Sequence, residues 1–115
     1  LGQVELAVWD MLGKTANKRS ADFIGPVLRQ DIPVYLSSNK RDTTPEAELA
    51  HLQRRVTETG VKCVKVKIGR RMGYNTDMAP GRTEAMISGL RKAFGDGMTI
   101  YADANGAYDA VKGLE

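Results

Sequence analysis

Apolar positions recur along this chain in two rhythms, and the way the rhythms alternate predicts its architecture. Val4, Ala7, Val8, Met11 and Leu12 follow the i, i+3, i+4, i+7, i+8 spacing of one helical face. They predict a helix over residues 3–14 with that face buried, and Gly13 marks its end. Residues 15–31 are polar and irregular, apart from an apolar patch at Phe23, Ile24, Val27 and Leu28 that suits a short helix. Ile32–Ser37 reads as a short strand, with Pro33 near its start, where a missing N–H is tolerated.

The rhythm then changes twice more. After a loop at 38–44, Thr44 followed by Pro45 predicts a helix start, because proline at the first helical position costs no hydrogen bond. Glu46 and Glu48 suit the positive end of that helix, Leu49, Leu52 and Val56 form its buried stripe, and Gly60 stops it. Residues 61–68 read as a strand with Val64, Val66 and Ile68 on one face and Cys63, Lys65 and Lys67 on the other. A long loop at 69–80 leads to a helix over about 82–94, with Met86, Ile87, Leu90, Ala93 and Phe94 inward. Gly95–Gly97 is a turn, 98–105 a third strand, and a further helix begins near Tyr108.

After the first helix the order is therefore β-α-β-α-β-α, which predicts parallel strands joined by crossover helices. An open doubly wound sheet usually carries a glycine-rich turn after its first strand, whereas Ser37-Ser38-Asn39-Lys40 has no glycine. In a (β/α)8 barrel, polar residues gather at the C-terminal ends of successive strands. Ser37, Lys65, Lys67, Asp103 and Asn105 occupy such positions. The expected fold is α/β, comprising the first three strands of a TIM-type barrel. Residues 1–31 form a junction helix and linker, and residues 32–115 the first three β/α units.

Composition narrows the function class. Hydrophobic residues make up 42% and charged residues 27%, ordinary for a water-soluble domain. No apolar run approaches the roughly 20 residues of a membrane span. The net charge of +3 is scattered and aromatics are few, which argues against nucleic acid as a partner. One cysteine excludes an internal disulfide and fits a reducing cytoplasm. Cys63 is expected to be a small buried hydrophobe, because no histidine is local to activate it, and His51 to be a packing residue in mid-helix. The chain opens at Leu1 without an initiator methionine, as expected of a processed product or an excerpt of a longer protein.

Chemistry concentrates on two strands. Lys65 and Lys67 point the same way, roughly 7 Å apart. On the third strand, Tyr101, Asp103 and Asn105 share a face, and charge appears only at its C-terminal end. A carboxylate beside an amide oxygen is a hard-oxygen pair suited to Mg²⁺. Were the strands neighbours, about 4.8 Å apart, Lys67 and Asp103 would face one cavity. A partly desolvated lysine beside a second cation has its neutral form favoured and can act as a base. Two plainer readings stay open: the lysines as a solvated edge-strand face, and Asp103 as a helix cap or a lysine's partner.

These residues resemble the enolase superfamily in its mandelate racemase and muconate lactonising enzyme branch. The likeness rests on Val4–Lys14 as the helix where a capping domain meets the barrel, Ile32–Ser37 as the first barrel strand, Lys65-Val-Lys67 on the second strand and Asp103-Ala-Asn105 on the third. The resemblance implies Lys67 as the acid/base on one face of the substrate. Lys65 would lower the pKa of Lys67 and contact the substrate carboxylate. Asp103 would be a ligand of Mg²⁺, and Asn105 a polar contact of the substrate. Gly81–Glu84 and the arginine-bearing loop 69–80 resemble members that dehydrate acid sugars, with racemases and cycloisomerases as the near alternative. The loop arginines would then recognise an acidic substrate. The expected partner is a small carboxylate, and the intact protein is expected to be a homo-oligomer. The family also needs two acidic ligands from later strands and a capping sheet, none of which lies in these residues. The alternative reading is that the chain by itself is a non-catalytic, incomplete fragment. A Schiff-base aldolase would use a barrel lysine without Asp103 or a metal.

Overall fold

The computed structural model describes residues 2–115. The chain divides into two compact units, one up to Pro33 and one from Val34 onward. The first contains α1 (Gly2–Ala16) and the short α2 (Ala21–Ile24). The helix predicted over 3–14 thus forms with slightly wider bounds. The chain reverses behind it through Lys18 N donating to Gly13 O at 2.9 Å and Ser20 Oγ donating to Trp9 O at 3.1 Å. The predicted burial of its apolar face is corrected: Val4, Val8, Met11 and Leu12 are all exposed. A four-residue second helix offers too little surface to cover an apolar stripe four turns long.

The second unit is a three-stranded parallel sheet in the order β1-β2-β3, built from Leu36–Ser37, Cys63–Lys67 and Thr99–Asp103. The helices α3 (Pro45–Thr59), α4 (Arg82–Phe94) and α5 (Ala110–Leu114) alternate with the strands. The strand predicted at 32–37 shortens to two residues. Pro33 has no N–H to give to a ladder, and pairing starts at Leu36 opposite Val64.

Local chemistry sets the helix ends as expected. Thr44 Oγ1 accepts from Ala47 N at 3.3 Å, Pro45 occupies the first turn, and Gly60 closes α3 at φ 69°. Glu48 is buried, where it accepts from Ser38 Oγ and, at 2.9 Å, from Thr43 Oγ1, tying the loop after β1 to the helix.

Strict alternation on β2 sends Val64 and Val66 into the core and leaves Cys63, Lys65 and Lys67 half-buried on the other face. Leu52, Val66, Met86 and Leu90 form the core, with Leu36, Leu49, Ile68, Ile87, Phe94 and Ile100 packed around it. Ala93, expected inward, is exposed. Cys63 is only partly buried because it lies on the face opposite that core. One face of the sheet thus packs on the core along β2, with Ala102 at the β3 edge left exposed, and the other face carries the lysines.

Candidate active site

Register brings the predicted residues together. In the parallel β2–β3 pair, Lys65 lies opposite Tyr101 and Lys67 opposite Asp103. Side chains at paired positions share a face. Lys67 Nζ donates to Asp103 Oδ2 at 2.6 Å, and Lys65 Nζ lies 3.3 Å from the same oxygen. Asp103 Oδ1 accepts from Asn105 N at 3.0 Å, and Lys67 Nζ also donates to Asn105 Oδ1. Asn105 adopts φ 47°, a left-handed conformation that asparagine tolerates better than most residues.

One carboxylate thus lies against two ammonium groups. The Lys67 hydrogen bond, aided by Lys65 and the Asn105 N–H, holds the Asp103 carboxyl down to about 2, against opposing partial desolvation. Lys65 is raised above the ordinary lysine value by Asp103 first and by Tyr35 second, again against desolvation. The carboxylate lying against Lys65 thus favours its charged form.

The plainer reading of Asp103 as a lysine's partner is therefore realised. Its reading as a helix cap is not, because Asp109 caps α5 by accepting from Lys112 N at 2.8 Å.

Two neighbours were missed from sequence. Tyr35 places its ring 5.1 Å from Lys65 Nζ and meets Tyr101 edge-on at 5.9 Å. Its signal was parity, since Tyr35 is two residues before Ser37, the partner of Lys65. Arg41, in the loop after β1, donates from Nη2 to Asn105 Oδ1 at 3.3 Å and to Ala104 O at 3.4 Å. Nothing local announces a contact spanning 64 residues. Of the loop arginines, Arg70 stacks over Tyr74 at 4.7 Å. His51 lies 3.2 Å from Arg54 on α3, outside this group.

The donor chemistry fits one side of a hard-cation site. Asp103 and Asn105 offer a carboxylate and an amide oxygen, and both grip the same cation here, the ammonium of Lys67. Among the described residues no three His, Cys, Asp or Glu side chains gather around one point. Mg²⁺ takes about six oxygen ligands, so further ligands would have to come from other residues of a longer protein or from substrate.

Comparison with known proteins finds relatives over most of the chain. Residues 47–115, more than half of the chain, match a family described as enolase C-terminal domain-like. A D-galactonate dehydratase family member from Enterococcus gallinarum is 30% identical over 121 residues, covering 91% of this chain and 29% of that protein. An o-succinylbenzoate synthase from Enterococcus faecalis is 34% identical over 105 residues, covering 91% and 25%. The crystal structure of a racemase candidate from Roseobacter denitrificans superposes with a TM-score of 0.86 at 36% identity, covering 96% of this chain and 30% of that one. The chain thus spans between a quarter and a third of the length of these relatives.

Proposed function

We propose that this chain, which belongs to the enolase C-terminal domain-like family in its mandelate racemase and muconate lactonising branch, supplies one wall of an active site that removes the proton alpha to a carboxylate. The wall would be the first three strands of a (β/α)8 barrel completed by residues beyond this chain. The observation that carries the reading is the convergence of Lys65 and Lys67 on Asp103 Oδ2 at the C-terminal ends of adjacent parallel strands.

In this reading Asp103 holds Mg²⁺, aided by oxygens from outside the chain. The metal, when bound, stabilises negative charge on the substrate carboxylate. Asp103 is then no longer free to engage both lysines. Lys67, once its ammonium has given up a proton to solvent, would turn Nζ to the substrate and accept the α-proton, while the C–H electron pair moves toward the carboxylate as an enediolate. Lys65, steadied by Tyr35, offers its ammonium to a carboxylate oxygen, and Asn105 orients a substrate hydroxyl. The enediolate then expels the β-hydroxyl, which leaves as water on taking a proton from the Lys67 ammonium formed in the first step or from an acid outside this chain. That outcome is dehydration of an acid sugar, supported by the dehydratase relative. Reprotonation of the same carbon on the opposite face, by an acid from outside this chain, would give a racemase instead, a second reading favoured by the likeness to the racemase candidate.

The test is solvent deuterium exchange at the α-carbon of acid sugars by the intact protein. Lys67→Ala should lower exchange by at least about 10²-fold, the usual worth of a positioned base. Chelation of divalent metal should abolish it. Unchanged exchange in the Lys67→Ala variant would remove the base assignment.

A further inference from the structure

Two cations grip Asn105, and only one of them is needed elsewhere in the proposed reaction. Asn105 Oδ1 accepts from Lys67 Nζ and, at 3.3 Å, from Arg41 Nη2. The same Arg41 nitrogen donates to Ala104 O at 3.4 Å. One amino group thus bridges the Asn105 side chain and the carbonyl of the residue before it. The turn it grips is left-handed, with φ 47° at Asn105 and 70° at Gly106. Asn105 N is tied in turn to Asp103 Oδ1 at 3.0 Å.

Arg41 is itself held in place. It is half-buried, in a loop anchored on both sides of it. Ser38 and Thr43 both donate their hydroxyls to the buried Glu48, and Thr43 O accepts from Arg82 Nε at 2.9 Å. A side chain on an anchored loop has little freedom left to lose when it holds a neighbour.

The chemistry asks different things of the two cations. Lys67 has to leave Asn105 in order to take the α-proton. Arg41 stays protonated at any ordinary pH and can only donate, so it is the partner that remains on Oδ1. A planar amide carries its acceptor on one arm and its donors on the other. With Oδ1 turned to Arg41, Nδ2 is turned away from it. Asn105 is an exposed residue just beyond the C-terminal end of β3, beside Lys67 and Asp103.

We propose that Arg41 is a positioning residue of this site: by holding Asn105 Oδ1 it aims Nδ2 as a hydrogen-bond donor at a substrate hydroxyl oxygen. The substrate half of this inference rests on the role given to Asn105 in the proposed reaction.

The experiment has two readouts on the intact protein. In the first, the concentration dependence of α-proton exchange separates KM from kcat. Arg41→Gln should raise KM about two- to tenfold, the worth of one hydrogen bond, with a smaller change in kcat. Arg41→Lys keeps a charged donor and should recover part of the loss. Asn105→Gly removes the side chain while tolerating the left-handed backbone. In that background Arg41→Gln should add nothing, because two residues acting through one contact are not additive. The second readout needs neither turnover nor metal. In ¹H–¹⁵N spectra, the side-chain amide signal of Asn105, identified by its loss in Asn105→Gly, should move or broaden in Arg41→Gln. The signal of Asn75, whose Nδ2 donates to Asp109 at 2.7 Å, should stay in place and report an intact fold. The inference is overturned if Arg41→Gln leaves KM unchanged, if its effect persists in the Asn105→Gly background, or if the Asn105 signal does not respond. An intact protein without exchange activity would remove the proposed reaction instead, and the amide signal would still decide whether Arg41 positions Asn105.

Discussion

Gly69→Ala probes the joint between the loops that follow the two strands bearing Lys65, Lys67 and Asp103. Gly69 follows β2 by two residues, is buried, and has φ 66°. Its N–H reaches Thr83 Oγ1 at 3.4 Å. A Cβ there would lie 2.6 Å from Ala107 Cβ, 3.0 Å from Tyr108 Cζ and 3.1 Å from Tyr108 Oη. Ala107 is fully buried and cannot swing aside as a long side chain could. Its loop is also stitched to the one after β2, with Asn75 N donating to Ala107 O at 2.8 Å and Gly73 N to Gly106 O at 3.1 Å.

Two costs therefore add. The left-handed backbone costs a non-glycine residue about 1–2 kcal/mol, and overpacking costs about 1–3 kcal/mol more. Gly73→Ala separates them, because Gly73 has φ 80° with nothing within 4 Å of the new Cβ. In urea unfolding of the intact protein, Gly69→Ala should cost about 2–5 kcal/mol and Gly73→Ala only the first share. The midpoint should move at unchanged slope. Equal costs for the two variants would refute the packing argument.

Two further outcomes follow from the second unit. A lowered folded-state carboxyl favours the folded protein at pH above its unfolded value, near 3.9. Asp103, held at about 2, therefore contributes at neutral pH and loses that contribution as pH falls from about 4 toward 2. The stability gap between wild type and Asp103→Asn should shrink across that window, and a gap independent of pH would contradict the ion-pair account. Leu52→Ala empties a fully buried core position against Val66, Met86 and Leu90. It should cost about 2–5 kcal/mol in the same urea assay, and a loss under about 0.5 kcal/mol, typical of a surface change, would show that this core is misassigned.

Features with short-range causes were legible in the sequence. A proline after Thr44 and a glycine at position 60 bounded α3, and residues 82–94 formed the helix their apolar spacing predicted. The parity of β2 correctly separated Val64 and Val66 from Lys65 and Lys67, because a strand alternates its side chains whatever its neighbours are. The same parity placed Asp103 on the lysine face at the C-terminal end of the third strand, whereas Asn105, expected within a strand over 98–105, lies in the turn that follows it. Burial was less legible where it depended on distant chain. The stripe on α1 has the spacing of a buried face, yet nothing in its own unit covers it.

By itself, then, the sequence determined which residues share a face and where the principal helices begin and end, since backbone geometry within a few residues decides both. Only the tertiary structure decided that Asp103 stands opposite Lys67, because pairing register is a property of two strands at once. It also decided that Arg41 reaches Asn105 and that Arg82 is buried beneath the lysine strand's last carbonyl. Contacts of that kind bring together residues between 15 and 64 positions apart, and no periodicity along the chain encodes them.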